Sequence, residues 1–530
     1  MLRWTNLSVP LDYTEASLRA LVLRKLSLSP DQLLSFSLVR RSVDARDKRD
    51  VHFVLTLDLS LLREQAVLKT HRFLSPAPVR KEEPLPASRF QVPPLVVGAG
   101  PAGLFAALTL ARAGARPVLI ERGKPVEDRT EDVSRMFASG VLNPESNVQF
   151  GEGGAGAFSD GKLTCGIKSP DVRLVLETFA AHGAPPEILT DQKPHVGTDR
   201  LRAVVRSLRE EICRLGGTVR FETRLEELLI RRGQVAGAVL VTGDVREECL
   251  TDTVLLCIGH SARDTMQRLF DQGLSMVRKP FAMGVRIEHP RELIDRAQYG
   301  TFAGHPALGA ASYKLAFHTP DGRGVYTFCM CPGGAVIAAA SQPGGVVTNG
   351  MSLHARAERN SNAALLVGVH PDDFGDDHPL AGFVLQRSIE KAAFQAGGGS
   401  FRAPAQRVED FLADRETVRF GEVLPSYRPG VVPADLRAVL PDFLTLNLKH
   451  GIRAMDRQLK GFALPDAVLT GPETRSSSPV RVPRNAHGEA ETLPGLYPVG
   501  EGAGYAGGIV SAAVDGIAAA RQALLRSGLL

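Results

Sequence analysis

The stretch that most limits the possible folds is "PLVVGAGPAGLFAALTLARAGARPVLIERG", Pro94 to Gly123. A short apolar run, a glycine turn, an alanine-rich segment and a second apolar run ending in an acid predict a βαβ unit. Gly98 permits the sharp turn, Gly100 lets the backbone approach a pyrophosphate, and Gly103 lets helix and strand pack closely. Ala99, Pro101 and Ala102 complete the segment, whose helix N-terminus offers free N–H groups to an anion. Glu121 stands 23 residues after Gly98, where an acid accepts ribose hydroxyls, and Arg122 and Gly123 follow it. A dinucleotide site is therefore predicted.

A second glycine turn lies in "LPGLYPVGEGAGYAGGIVSAAVDGIAAARQALL". There a strand from Leu496 to Val499 runs into Gly500 and Glu501, and a helix opens at Gly508 and Ile509. Between the two turns, "NVQFGEGGAGAFSDGKLTCG" (Asn147 to Gly166) has six glycines in residues 151–166. So bare a backbone is favoured where φ must be positive or a ligand comes close. The stretch is unlike a P-loop, because Gly161-Lys162 is followed by Leu163 and no buried strand leads into it.

The two turns together resemble the FAD-binding flavoprotein oxidoreductases with a glutathione-reductase-like FAD fold. "FGEGGAGAFSDGKL", "CIGHSARDT", "GVYTFCMCPGG", "TNGMSLHARAERNSNAALLV", "GGGSFRAPAQRV" and "GPETRSSSPVRV" are similar to stretches of the bacterial NAD(FAD)-utilizing dehydrogenase family, over nearly the whole chain. The resemblance implies an α/β protein. Its parts are a Rossmann-like FAD-binding domain, an inserted α+β substrate-type domain and a small N-terminal α+β (βαββ) domain. It also implies noncovalent FAD and no established substrate. It puts Gly98, Gly100 and Gly103 around the pyrophosphate, Glu121 on the adenosine ribose, and backbone near Leu225 at the adenine. Cys257, Ile258 and Gly259 return to the cofactor, and Gly500 and Glu501 point toward the ribityl-phosphate. Many relatives of the wider fold have Asp where this chain has Glu501, which reaches by its longer arm or through water. The helix opened by Gly508 and Ile509 is aimed at the flavin C2 carbonyl, where its dipole stabilises negative charge. Gly151, Gly153, Gly154, Ala155 and Gly156 are read as a bed against the pyrophosphate, ribityl chain or N5 edge. Lys162 places charge near the flavin N1/C2 side or a bound anion, or is a solvated loop lysine.

Composition and punctuation set the domain organisation. At 530 residues, 44% hydrophobic and 23% charged, the chain is globular and long enough for two to four domains. "SPAPVRKEEPLPASRFQVPP" marks a stiff linker. The expected divisions are a small domain over 1–72, a linker over 73–93, an FAD domain over 94–264 and 486–530, and a substrate or cap domain over 265–485. The small domain reads strand (Leu2 to Val9), helix (Glu15 to Leu26), strand (Leu33 to Ser42) and strand (Val51 to Leu57). In the cap, "AMGVRIEH", "GVYTFCM" and "GAVIAAAS" alternate as strands of a sheet covering the flavin.

A second GxGxxG and a redox cysteine pair, both carried by pyridine-nucleotide disulfide reductases, are missing here. The expectation is an FAD-dependent oxidoreductase passing hydride between flavin N5 and a small organic substrate, with NAD(P)H as a transient donor. Arg286, His260, Arg356 and Arg475 are candidate clamps for an anionic substrate, each against a structural ion-pair role. The proton donor is His260, Tyr313 or a water. Cys329 and Cys331 are read as unbridged, since residues i and i+2 of a strand lie about 6.5 to 7 Å apart; a buried pair, a catalytic thiol and a pocket lining all stay open. No metal signature is found. The six cysteines, none in CxxC, and the want of an apolar leader or an 18-residue apolar run lead us to expect a cytoplasmic protein without a membrane span. An alternative has the N-terminal domain dock the flavoprotein to RNA or a protein partner, given 12 Lys/Arg against 8 Asp/Glu in residues 1–72.

Overall fold

The computed structural model describes residues 1–79 and 84–528. At its centre is a five-stranded parallel sheet in the order Leu496–Pro498, Val254–Leu256, Leu95–Val97, Val118–Ile120, Thr218–Arg220. Its strands are three residues long and mostly buried, so they read as apolar runs rather than as alternations. The helix Pro101–Arg112 begins at Gly100 with proline at its first position, where the missing N–H costs nothing. The last helix, Ile509–Ser527, packs on it closely: a Cβ on Gly516 would fall 2.1 Å from the Ala102 carbonyl oxygen. The first and the last helix of the FAD-binding part meet there in one layer.

Between Thr218–Arg220 and Val254–Leu256 the chain makes an antiparallel meander of Thr223–Arg231, Gln234–Thr242 and Val245–Leu250. The helix Arg263–Asp271 belongs with this part of the molecule. Met266, Leu269, Leu274 and Met276 share a core with Leu225, Leu228 and Val235, and Leu228 N–H donates to Gln272 Oε1 at 3.0 Å. Residues 265–276, expected in the cap, therefore pack on the FAD side, because the amphipathic helix finds its apolar partners in the meander. Val277–Arg278 pairs with Val480–Arg481 where the chain leaves and returns.

The cap is a seven-stranded sheet in the order Ala316–His318, Gly324–Cys331, Asn360–Val369, Phe281–Pro290, Val468–Glu473, Ala403–Arg407, Val431–Pro433. The helices Ala381–Ala396 and Asp442–Gln458 bury apolar side chains in its core. "GAVIAAAS" contributes only Ala335–Ala338, which pairs with Thr348–Met351 as a separate ribbon instead of joining the large sheet.

The N-terminal unit is longer than its expected βαββ. A helix, Glu64–Thr70, and an edge strand, Leu74–Pro76, follow, the latter pairing with Leu2–Val9. The expected linker 73–93 thus begins as sheet, and its residues 80–83 lie outside the described residues, as do residues 529 and 530 of the expected C-terminal part. Trp4 and Phe53 are buried in this unit's own core, and Tyr13 stands edge-on to Phe53 at 5.9 Å. Arg41 joins the unit to the FAD side through an ion pair with Asp191 at 2.9 Å.

Candidate functional site

One cleft runs from the carboxyl ends of the parallel strands to the cap sheet, the usual place for ligands in open α/β sheets. The three glycines of the first turn divide their work. Gly98 has φ of +102°, and a Cβ there would lie 2.5 Å from the Cys257 carbonyl oxygen. On Gly103 a Cβ would lie 1.8 Å from the Gly98 carbonyl oxygen. Both serve packing. Gly100 faces the cleft, where a Cβ would meet nothing nearer than the Gly154 Cα at 3.8 Å. The open space there, at a helix N-terminus, fits a diphosphate.

Glu121 is 5% exposed, and both its oxygens are engaged. Oε2 accepts from Ala99 N–H at 2.8 Å, and Oε1 from Gly123 N–H at 3.0 Å and Gly151 N–H at 2.9 Å. A carboxylate has about four lone-pair sites, so this one keeps room for a single ribose hydroxyl rather than two. Gly123 itself points away from the cleft, against Gly151. Arg122 lines the cleft and is held by Glu145 and Asp264, with its guanidinium 4.1 Å from the Phe150 ring centre.

The glycine-rich loop has two faces. A Cβ on Gly151 would fall 2.4 Å from Arg129 Cδ, and one on Gly153 would fall 2.9 Å from Ala157 Cβ. These two glycines therefore serve the inner packing of the loop, contrary to the expected flavin bed. Of the five residues expected to form that bed, Gly154, Ala155 and Gly156 line the cleft. The loop is shaped by Arg129, fully buried, whose guanidinium donates to the carbonyls of Asn147, Val148, Gly151 and Glu152. Sequence reasoning missed this arginine, since its partners are backbone oxygens some 20 residues away.

At the end where adenine is expected the cleft is lined by Thr223, Arg224 and Leu225, and at the next strand by Cys257, Ile258 and Gly259. Gly508 and Ile509 present the start of the last helix, while Gly500 lies off the cleft and donates to Asp515 Oδ2 at 2.7 Å. Glu501 lines the cleft, and burial pushes its carboxyl up to about 8, with Lys279 pulling the other way.

The cap end carries the remaining candidates. His260 lines the cleft, but burial and then the charges of Arg475 and Arg263 hold it down to about 3, so it is neutral at neutral pH and is no imidazolium donor. Tyr313 is 6% exposed inside the cap core, edge-on to Phe462, and off the cleft; its aromatic body outweighs its hydroxyl. Arg286 and Arg356 are also off the cleft, paired with Glu473 at 3.2 Å and Asp160 at 2.6 Å. Arg475 lines it, but its charge is met by Glu390, which also holds Arg263. Lys162 lines the cleft beside Asp160 at 3.2 Å and donates to the Met330 carbonyl, so it is not a solvated loop residue.

Two further residues were not singled out from the sequence. Phe328 is 44% exposed although it lines the cleft, an apolar surface open to a flat partner. Glu473 lines the cleft while 3% exposed; burial pushes it up to about 7, against the pull of Arg286. It lies in "GPETRSSSP", from which only Arg475 drew notice. Among the described residues no group of three or more His, Cys, Asp or Glu is spaced to hold a metal ion, and no helix is long and apolar enough to cross a membrane.

Comparison with known families matches residues 280–476 to the C-terminal domain-like model of FAD-dependent proteins and residues 91–135 to an FAD binding domain. Residues 1–60 match a domain of unknown function. An uncharacterized protein of Clostridium beijerinckii is 47% identical over 526 residues, 98% of each chain. Among solved structures, a geranylgeranyl bacteriochlorophyll reductase-like protein of Thermoplasma acidophilum is 14% identical, with TM-score 0.36, covering 82% of this chain and 79% of that one. Quinol fumarate reductase FrdA of E. coli is 14% identical with TM-score 0.37, covering 83% and 71%.

Proposed function

The chain belongs to the same family as the uncharacterized protein of Clostridium beijerinckii, FAD is its cofactor, and we propose that it is an oxidoreductase acting on a small anionic organic substrate between FAD and the cap. The observation that carries this reading is the continuity of the cleft from the glycine turn at Gly100 to a cap wall of Phe328, Glu473 and Arg475. When bound, FAD supplies hydride exchange at N5; the chain supplies position, charge and exclusion of water. The helix N-terminus at Gly100 would hold the diphosphate, and the one at Gly508 would face the flavin ring, together orienting the cofactor noncovalently. Lys162 and Arg356 share Asp160, and Arg475 and Arg263 share Glu390, so each group keeps one positive charge in excess at the cap end, where an anionic substrate would be drawn. Glu473, protonated below about 7, can give a proton to a substrate atom there. It replaces Tyr313 as the candidate donor from the cap. The resemblance to NAD(FAD)-utilizing dehydrogenases supports NAD(P)H as a transient donor, and the reading places the enzyme in the cytoplasm. The docking alternative for residues 1–72 gains nothing from the fold, since the unit's Trp4 and Phe53 are spent in its own core.

The test is anaerobic mixing of the FAD-loaded protein with NADH and with NADPH. Loss of flavin absorbance within seconds is expected with one of them. Retention of the oxidised spectrum with both, and with a panel of small organic acids, would remove the oxidoreductase reading.

Glu501 gives a pH prediction. Its folded value of about 8 leaves it neutral at pH 7, beside the place proposed for the ribityl-phosphate. Above pH 8 it ionises and repels the diphosphate, so FAD affinity should fall as pH rises through 8, by up to about tenfold per unit. Titration of the FAD-stripped chain at pH 6.5, 8 and 9.5 measures this, and Glu501→Gln should flatten the dependence. An affinity unchanged between pH 7 and 9.5 would contradict it.

A further inference from the structure

A second concavity, a groove of about 340 Å³, runs between the helices Arg263–Asp271 and Ala381–Ala396. No residue lines both it and the cleft. Glu390 stands between the two, accepting from Arg475, which lines the cleft, and from Arg263, which lines the groove. The groove follows from the pattern of one helix face. Leu380, Phe383 and Val384, then Arg387, Ser388 and Lys391, fall at three- and four-residue steps, so they form one stripe, apolar at its start and basic at its end. Leu380 and Phe383 are 4% and 6% exposed, whereas Val384 is 69% exposed although apolar. Across from them the Arg263 guanidinium lies 5.7 Å from the Phe383 ring centre. Arg263, Arg387 and Lys391 line the groove, and among the described residues no carboxylate does. Glu390 already answers Arg263 and Arg475, so Arg387, 3.9 Å from the same carboxylate, brings a charge with no acid of its own. Lys391 is exposed, and no acid pairs with it among the described residues. Burial, then the charge of Arg475 and that of Arg387, hold the Arg263 guanidinium down to about 10 against the pull of Glu390, as an excess of positive charge requires.

We propose that this groove binds a small amphipathic organic acid, with its carboxylate at Arg387 and Lys391 and its apolar body on Phe383 and Val384. Charge and shape both select that occupant. Val384 to Lys391 is seven residues, about 10 Å of helix, which matches a chain of about eight carbons laid along the stripe. Covering Val384 takes exposed apolar surface out of water, and the head meets cations that no acid in the groove neutralises. The volume is that of a small-molecule pocket, whose range is roughly 300 to 1,000 Å³. The site involves no covalent or redox step. It stands whether or not the cleft acts on an anionic substrate.

The probe is octanoate, titrated by calorimetry into the full chain loaded with FAD, beside acetate and octan-1-ol, which carry its head and its body alone. Octanoate should bind saturably at one site per chain, with acetate and octan-1-ol each at least about tenfold weaker, since each keeps one contribution only. Lys391→Glu and Val384→Asp change exposed side chains. Each should weaken octanoate about tenfold by setting a negative charge against it, and leave FAD occupancy unchanged. Lys162→Met, in the cleft, should leave octanoate binding at the parental value. Absence of saturable octanoate binding overturns the proposal. So does binding that Lys162→Met weakens while both groove variants keep it at the parental value, because that places octanoate in the cleft. A glutamate-rich peptide that binds the chain where octanoate does not would assign the groove to a protein partner, and overturns it as well.

Discussion

Gly100→Val is expected to abolish FAD binding while the stripped chain stays folded. Gly100 has φ of −75° and ψ of −177°, extended backbone that valine adopts without strain. The nearest atom to its Cβ would be the Gly154 Cα at 3.8 Å, so the protein has room for the first carbon. The branch beyond it would occupy the space against the helix N-terminus that we assign to the diphosphate. FAD affinity should fall by more than about 100-fold, roughly 2.7 kcal/mol, with apo stability changed by less than about 1 kcal/mol. Gly103→Val is the contrast, since its Cβ would sit 1.8 Å from the Gly98 carbonyl oxygen and should prevent folding of the domain itself. FAD titration by fluorescence and denaturant unfolding of the apo protein separate the two effects. Parental FAD affinity in Gly100→Val would remove this face of the turn from the site.

Glu121→Gln is expected to destabilise the fold and to loosen FAD together. The carboxylate is the acceptor for three buried N–H groups, those of Ala99, Gly123 and Gly151, and so ties the glycine turn, the acid's own strand end and the glycine-rich loop together. Glutamine keeps one acceptor oxygen and turns an amide NH2 toward a backbone N–H, leaving at least one donor unpaired and the others without charge assistance. Hydrogen bonds to charged groups contribute about 1.5 to 3 kcal/mol each, and an orphaned buried group costs about 1 to 3. A destabilisation of roughly 3 to 5 kcal/mol is expected, with FAD lost on dialysis and partly recovered in excess FAD, because bound cofactor stabilises by mass action. Urea unfolding of Glu121→Gln at the parental midpoint would be the contrary result.

What the sequence made legible was local. Gly98, Gly100 and Gly103 could be assigned because each answers to backbone geometry within one turn, and FAD as cofactor followed from two such turns. Gly153 could not be sorted from Gly154 by the same logic: both have positive φ, and only tertiary packing decides that one meets Ala157 and the other the cleft. Arg129 was invisible because its role is to satisfy carbonyls of a distant loop, which no spacing rule records. The misplacing of Tyr313 has a similar origin, since a tyrosine in an irregular stretch reads as polar until its burial among cap side chains is seen. Arg286 and Arg356 were plausible clamps by type, yet Glu473 and Asp160 lie too far along the chain for their pairing to be read from it. The helix Arg263–Asp271 shows the same limit at the domain scale: its amphipathic pattern says that it packs, not on which domain.

The most direct measurement is a crystal structure of the chain with FAD bound. The account predicts adenine beside Thr223 to Leu225, diphosphate over Gly100 at the start of Pro101–Arg112, one ribose hydroxyl on Glu121, and the isoalloxazine ring at the cap wall by Phe328 and Cys329. A cofactor lying in the opposite sense, with its ring at Thr223, or bound outside this cleft, would contradict it.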